Sequence, residues 1–189
     1  AQENFQAGVV AFYNLENLFD TLDTEGVNDE EFTVNGPNEW NSRKYHEKID
    51  RLAEVISRLG SDEGLQGGPA ILGVSEIENR SVLEDLTAHP LLRPGKYQII
   101  HYDSPDLRGV DVALLYQSGA FVPTGSRSAE LPLYEDDGTR VFTRDQLLVS
   151  GLFNGERMHF IVNHWPSRRG GEKASRPRRN AAASLTRSI

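Results

Sequence analysis

The sequence predicts a single α+β domain, or layered α/β sandwich, and three observations carry that expectation. Apolar runs end abruptly in polar residues three times: Gly8 to Tyr13 stops at Asn14, Pro69 to Val74 leads to Glu76, and the run into Val162 stops at Asn163 and His164. The order of elements is strand, helix, strand, helix, then mostly antiparallel strands, which argues against an all-parallel sheet. At 189 residues, 38% hydrophobic and 25% charged, the chain suits one domain with a substantial core. No internal repeat is present.

The first strand, GVVAFY at 8–13, is apolar and rich in β-branched and aromatic residues, and Leu15, Glu16 and Asn17 follow its end. From Asp20 to Asn41 the chain is acidic and contains Gly26, Gly36 and Pro37, so a long, mobile surface loop is expected. A helix over Arg43–Leu59 places Ile49, Leu52, Val55, Ile56 and Leu59 on one face, with Asn41 or Ser42 as cap and Gly60 as stop. Residues 61–68 form a loop before the second strand, which leads to Glu76 with Glu78, Asn79 and Arg80 beyond it. A short helix over Ser81–Ala88 buries Val82, Leu83 and Leu86.

Tyr97–Tyr102 and Val110–Tyr116, joined by a polar turn, predict an antiparallel pair. Phe121 to Arg144 reads as short irregular strands broken by Pro123, Pro132 and a turn at Asp136-Asp137-Gly138. Asn154-Gly155 between Gln146–Phe153 and Arg157–Asn163 is a strong hairpin signal. Arg178–Ile189 reads as a helix whose apolar side is Ala181, Ala182, Ala183, Leu185 and Ile189.

Composition excludes several classes. No apolar run approaches the ~18 residues of a membrane span. The absence of cysteine removes disulfides, thiolate metal sites and a cysteine nucleophile. The chain opens Ala1-Gln2, a mature end left by signal-peptide removal or an artificial boundary; a secreted or periplasmic location is the expectation. Net charge is -8, yet residues 1–42 hold no Lys or Arg, while Arg168, Arg169, Lys173, Arg176, Arg178 and Arg179 crowd one segment. A basic patch on an acidic protein suggests a local anion site. In FIVNHWPSRRGG at 160–171, Pro166 ends the strand, the arginines supply donors, and Gly170 and Gly171 let the backbone come close. The same stretch also reads as a strand end with a solvated basic loop.

If the three polar strand ends converge, they assemble carboxylate and amide oxygens, a histidine and arginines. Such oxygens suit Mg²⁺ or Mn²⁺ better than zinc. Each residue has a plainer role too: Asn14 as a turn cap, Glu76 as a surface carboxylate, His164 as a structural histidine. Arg108 with Asp111, and Arg144 with Asp145, can be simple ion pairs. His46, His89, His101 and His159 read as structural.

Five segments in order, FYNLENLFD at 12–20, GVSEIENRSVLEDL at 73–86, YDSPDLRGVDVALLY at 102–116, TRDQLLVSG at 143–151 and VNHWPSRRGG at 162–171, resemble the endonuclease/exonuclease/phosphatase superfamily of metal-dependent phosphoesterases. They look most like its exported bacterial members. The resemblance implies a deoxyribonuclease-like fold, a two-layer β-sandwich flanked by helices, with a Mg²⁺ or Mn²⁺ cofactor. It makes Glu76 the principal metal ligand, with Asn14 beside it orienting a metal-bound water or the phosphate, and Glu16 as a second acidic residue near the metal. His164 would hydrogen-bond the scissile phosphate, Arg144 would contact phosphate, and Arg108, Asp111, Ser167 and Arg168 would line the cleft.

The family's later Gly-Asp-Phe-Asn and Asp-His motifs have no counterpart in this sequence. The expectation is therefore one domain over 1–189 that lacks its C-terminal strands, with a further segment or another chain completing the sandwich. The implied activity is hydrolysis of a phosphodiester or phosphomonoester by in-line water attack on phosphorus, with nucleic acid the favoured substrate. Alternatives are a phosphatase- or sphingomyelinase-like phosphoesterase, or an incomplete module that only binds metal or phosphate.

Overall fold

The computed structural model describes residues 8–61, 67–168 and 170–189. The Ala1-Gln2 start, residues 62–66 of the expected loop and Arg169 lie outside the described residues.

Strand β1 (Val10–Leu18) leads through a long excursion and helix α1 (Ser42–Arg58) into β2 (Ile71–Ile77), which pairs parallel to β1. Helix α2 (Arg80–Ala88) follows, and β3 (Tyr97–His101) and β4 (Asp111–Gln117) form the expected antiparallel pair. β4 also pairs antiparallel with β2, giving the sheet order β1-β2-β4-β3. β5 (Phe121–Ala129) is followed by a short ribbon, β6 (Leu133–Tyr134) and β7 (Arg140–Val141), and by the hairpin β8 (Gln146–Phe153) and β9 (Glu156–Val162). β5, β8 and β9 make the second sheet in that order. Helix α3 (Gly171–Ser188) comes last.

The layers follow from which faces are apolar. One face of the first sheet meets α1 and α2 through a core that includes Leu15, Ile49, Ile56, Leu72, Val74, Leu83 and Leu86. Its other face meets the second sheet through Ile71, Val112, Leu114, Phe121, Leu147, Val149 and Val162. β2 is covered on both sides, so it is buried without alternation from Ile71 to Ser75. At Gly73 a Cβ would lie 3.2 Å from the Val162 side chain and 3.3 Å from Phe12. Glycine here lets β2 and β9 approach closely, and that approach brings the ends of the two strands together.

Local chemistry accounts for the element boundaries. The Asn41 side chain accepts the Lys44 N–H at 3.2 Å and the Asn79 side chain accepts the Val82 N–H at 3.2 Å, capping α1 and α2. At the β8–β9 turn Asn154 (φ 48) and Gly155 (φ 88) both take the left-handed conformation that a two-residue hairpin needs. α3 is tied to the sandwich by Gln146, whose Nε2 donates to the Ala182 carbonyl at 2.8 Å.

Five expectations need correction. Val55 is exposed, because it precedes the buried Ile56 and so lies ~100° around the helix from it. β1 does not stop at Asn14 but continues through an irregularity to Leu18. β5 is one nine-residue strand despite Pro123, since it is an edge strand whose register shifts between Pro123 and Gly125. α3 begins at Gly171 and runs through Pro177. The 20–41 excursion is pinned rather than loose: Phe32 stacks on Phe19 at 4.1 Å, Trp40 Nε1 donates to the Phe19 carbonyl at 3.1 Å, and the Asn28 N–H donates to the Leu107 carbonyl at 2.8 Å.

Candidate active site

The β1–β2 ladder breaks between Asn14 and Leu18, and the β2–β4 ladder breaks between Ser75 and Ile77. Both strands therefore bulge at one level, and Glu76 is the residue left without a cross-strand partner in either ladder. Glu16 (φ 53), Asn17 (φ 59) and Glu76 (φ 58) are left-handed there. For residues with a Cβ this conformation costs ~1–2 kcal/mol each, so the surrounding packing must hold it. Its effect is to turn Glu76 out of a strand that is otherwise buried.

The bulge delivers Glu76 to the segment following β9. Glu76 Oε1 lies 3.5 Å from His164 Nε2, and both side chains are partly buried. Asn14 sits opposite Ser75 on the neighbouring strand, and its Oδ1 accepts the Glu16 N–H at 2.8 Å. Two of the strand ends thus meet at Glu76 and His164, with Asn14 and Glu16 on the adjoining strand. Burial, reinforced by the positive charge of Arg144, pushes the His164 imidazole below its usual 6.5, and the Glu76 carboxylate only partly offsets this. This favours the neutral form of the imidazole. Its buried Nδ1 has no hydrogen-bond partner among the described residues.

Sequence reasoning missed two residues here. Lys48 on α1 donates its ammonium to the backbone carbonyl of Glu16 and to that of Asn17 at 3.3 Å. Burial lowers its pKa, and the carboxylates of Glu16 and Glu76 pull it back up. No pattern marks it in the sequence, because it is one of five Lys and Arg residues on α1. Asp106 is the other. It is buried, and it accepts from Arg144 Nη1 at 3.1 Å and from the Arg108 N–H at 3.0 Å, with Arg108 Nε at 3.8 Å. The pairs Arg108–Asp111 and Arg144–Asp145 are not formed; Asp106 takes both arginines, while Asp145 accepts from Ser128 at 2.8 Å. Arg144 also donates to the Trp165 carbonyl at 3.4 Å, which ties it to the His164 segment.

Asp111 is placed differently from Arg144. It is buried at the start of β4, accepting from His101 Nε2 at 2.9 Å and from the Ser104 N–H at 2.9 Å, with the Ser104 hydroxyl on the same oxygen as that N–H. His101, read as structural, has these close partners and Asp103 at 3.8 Å. His46, His89 and His159 also have partners, in Ser42, Asp50 and Ser150. Ser167 is exposed and lines a pocket of about 210 Å³ together with Asp106, Phe142, Arg144 and Pro166. Arg168 is exposed, with Glu172 at 3.9 Å.

The donors along the bulge are of the type a hard divalent cation takes. Glu76 offers a carboxylate, Asn14 an amide oxygen and Glu16 an exposed carboxylate, the few oxygen ligands that Mg²⁺ or Mn²⁺ takes while keeping water or phosphate in its remaining positions. Among the described residues a separate group, His101, Asp103 and Asp111, has ligand atoms within 4.8 Å of one another. Its imidazole makes it a borderline-metal donor set rather than a magnesium one.

A family model described as "Endonuclease/Exonuclease/phosphatase family" matches residues 9–189. No curated protein matches the chain. Among solved structures, an endonuclease/exonuclease/phosphatase from Bacteroides vulgatus is 16% identical with a TM-score of 0.51, over 95% of this chain and 58% of that one. A functionally unknown conserved protein from Enterococcus faecalis is 13% identical with a TM-score of 0.51, over 93% and 57%. A humanized TDP2 from D. rerio is 11% identical with a TM-score of 0.49, over 84% and 47%. The chain thus spans 47% to 58% of the length of these structures. At such identities the likeness is one of fold.

Proposed function

The chain belongs to the endonuclease/exonuclease/phosphatase family, and from that premise we propose that it supplies the Glu76–His164 half of a Mg²⁺- or Mn²⁺-dependent phosphodiester hydrolase acting on nucleic acid. The observation that carries the reading is the paired bulge. It spends backbone strain to hold a carboxylate 3.5 Å from a neutral imidazole, beside two arginines shared by one buried aspartate.

Glu76, with Asn14 and Glu16, would hold the cation. When bound, the cation polarises the phosphoryl oxygens and offsets charge that develops on them during in-line attack by water. His164, kept neutral by burial and by Arg144, donates a hydrogen bond from Nε2 to a non-bridging phosphate oxygen without adding a competing charge to the metal site. Arg144 is held by Asp106 and the Trp165 carbonyl, so it meets the phosphate already oriented. Arg108, Ser167 and Arg168 extend the donor surface on that side, and Asp111 supports the site through the His101–Ser104 cluster.

The test is hydrolysis of a small aryl phosphodiester with Mg²⁺ or Mn²⁺ and with EDTA. EDTA and Glu76→Gln should each abolish turnover, and His164→Ala should lower it at least 10²-fold at saturating metal. Metal-dependent turnover that survives Glu76→Gln would end the assignment. Phosphomonoester and sphingomyelin-like substrates in the same assay separate the phosphatase and lipase variants of this chemistry.

A second reading, a metal- or phosphate-binding module without turnover of its own, is favoured by one observation. Edge strands β1 and β9 border an apolar groove of about 280 Å³ lined by Val10, Phe12, Ile71, Leu114, Phe160 and Ile161, with Val10 and Phe12 exposed. An added strand or another chain along that edge would cover it. Metal binding without hydrolysis, recovered as hydrolysis when a covering chain is supplied, is the outcome that selects this reading. A secreted or periplasmic location remains part of the proposal, checked by fractionating the native source. No helix among the described residues is long and apolar enough to cross a membrane.

A further inference from the structure

On the α1 side of the bulge lies a groove of about 340 Å³ that shares Asn14 and Glu16 with the site described above and otherwise lies outside it. Asn14 and Glu16 of β1 line it together with Trp40 and with Lys44, Lys48 and Arg51 of α1, over an apolar floor that includes Leu15, Leu52 and Val55. The three cations are spaced i, i+4 and i+7 on α1, so they follow one face of the helix over ~10 Å. This is notable in a chain of net charge -8 whose first 42 residues hold no Lys or Arg.

The cations are positioned rather than neutralised. Lys48 is held over the Trp40 ring at 5.9 Å and by two backbone carbonyls. Lys44 Nζ donates to the Asn38 carbonyl, an uncharged partner, at 2.7 Å. Arg51 is exposed and has no ion-pair partner among the described residues. Of the two acidic residues in the groove, Glu47 is engaged by Arg43 at 2.9 Å, and Glu16 stands at the metal end.

We propose that this groove is a second phosphate subsite, in which Lys44, Lys48 and Arg51 receive the phosphate next along a single nucleic-acid strand from the one held at Glu76 and His164. The inference rests on the hydrolase reading for the position of the first phosphate. Its consequence is a preference for polynucleotides over small diesters, since only a strand reaches both ends of the groove. The contact is with the backbone, so it carries no base preference.

The experiment is fluorescence anisotropy of a labelled oligothymidylate with the full chain in EDTA, repeated across a series of NaCl concentrations. Each phosphate contact on a single strand contributes ~0.7 to the slope of log affinity against log salt. Lys44→Ala and Arg51→Ala should each lower the slope by about that amount and weaken low-salt binding several-fold. Arg58→Ala removes the same charge from the same helix outside the groove, and it should leave the slope unchanged. Equal slopes in all three variants, or no oligothymidylate binding by the wild type, would overturn the subsite. Turnover of the small aryl phosphodiester is measured in parallel on the wild type and on Glu76→Gln. Unmoved slopes with Glu76-dependent turnover sink the subsite and leave the hydrolase reading. Lowered slopes with no turnover support the subsite and sink the hydrolase reading.

Discussion

Glu76 is set apart at the residue scale by three coincident features: it lies near the end of an otherwise buried strand, it is unpaired in both ladders, and its φ of 58° is one that a side chain resists. The first of these is visible in the sequence, because an apolar run that ends in a carboxylate is unusual. His164 is legible for the same reason, as the polar stop of an apolar strand before Pro166. Asp106 is not legible. It is one of two aspartates in the turn DSPD, and nothing local tells which is buried among arginines and which is exposed. Its role gives a prediction. Asp106→Ala strands the largely buried guanidinium of Arg144 without its counter-charge and should cost about 3 kcal/mol in urea unfolding. A loss below about 1 kcal/mol would mean that the pair behaves as a surface ion pair. Asp111 illustrates the converse: the sequence offers Arg108 as its partner three residues away, while β-pairing brings it His101 from the neighbouring strand instead.

Legibility at the scale of elements follows how local the cause is. Asn41 and Asn79 cap their helices with their own side chains, and Asn154-Gly155 dictates its turn, so these boundaries are close to what the sequence predicts. Gly155 is surrounded by open space at φ 88, so Gly155→Ala meets no clash and is penalised only by the left-handed conformation. It should destabilise the protein by ~1 kcal/mol, read as a lower denaturation midpoint with an unchanged m-value. An unchanged midpoint would show that the turn relaxes to another type. The end of β1 and the continuity of β5 are not local matters. β1 runs on past Asn14 because β2 is there to pair with Leu18 at Ile77, and β5 passes Pro123 because the missing N–H falls on an edge strand beside a register shift.

The whole molecule is a central sheet with helices on one face and a second sheet on the other, and the site lies where the strand ends of both sheets meet. The 20–41 excursion is fastened beside it by Glu78, which accepts the Asp20 N–H at 2.7 Å and the Thr24 hydroxyl at 3.1 Å. Burial pushes the Glu78 carboxyl up to about 7, with Asp20 and Asp29 adding to the shift and the two accepted hydrogen bonds opposing it. A folded pKa raised above the unfolded one means that the protonated form is favoured in the native state. The stability from this group is complete below the usual carboxyl pKa of 4.5 and is lost as pH rises through about 7. Thermal midpoints should therefore fall between pH 5.5 and 8 in the wild type, and fall less in Glu78→Gln. An identical pH dependence in the two proteins would contradict this.

Whether Glu76 holds the metal is decided by a calorimetric titration with Mn²⁺ on the wild type, Glu76→Gln, His164→Ala and His101→Ala. Binding that survives in His164→Ala and His101→Ala but is lost in Glu76→Gln is the predicted result. Binding that persists in Glu76→Gln and disappears in His101→Ala would place the ion at the His101–Asp103–Asp111 group and contradict a Glu76 site.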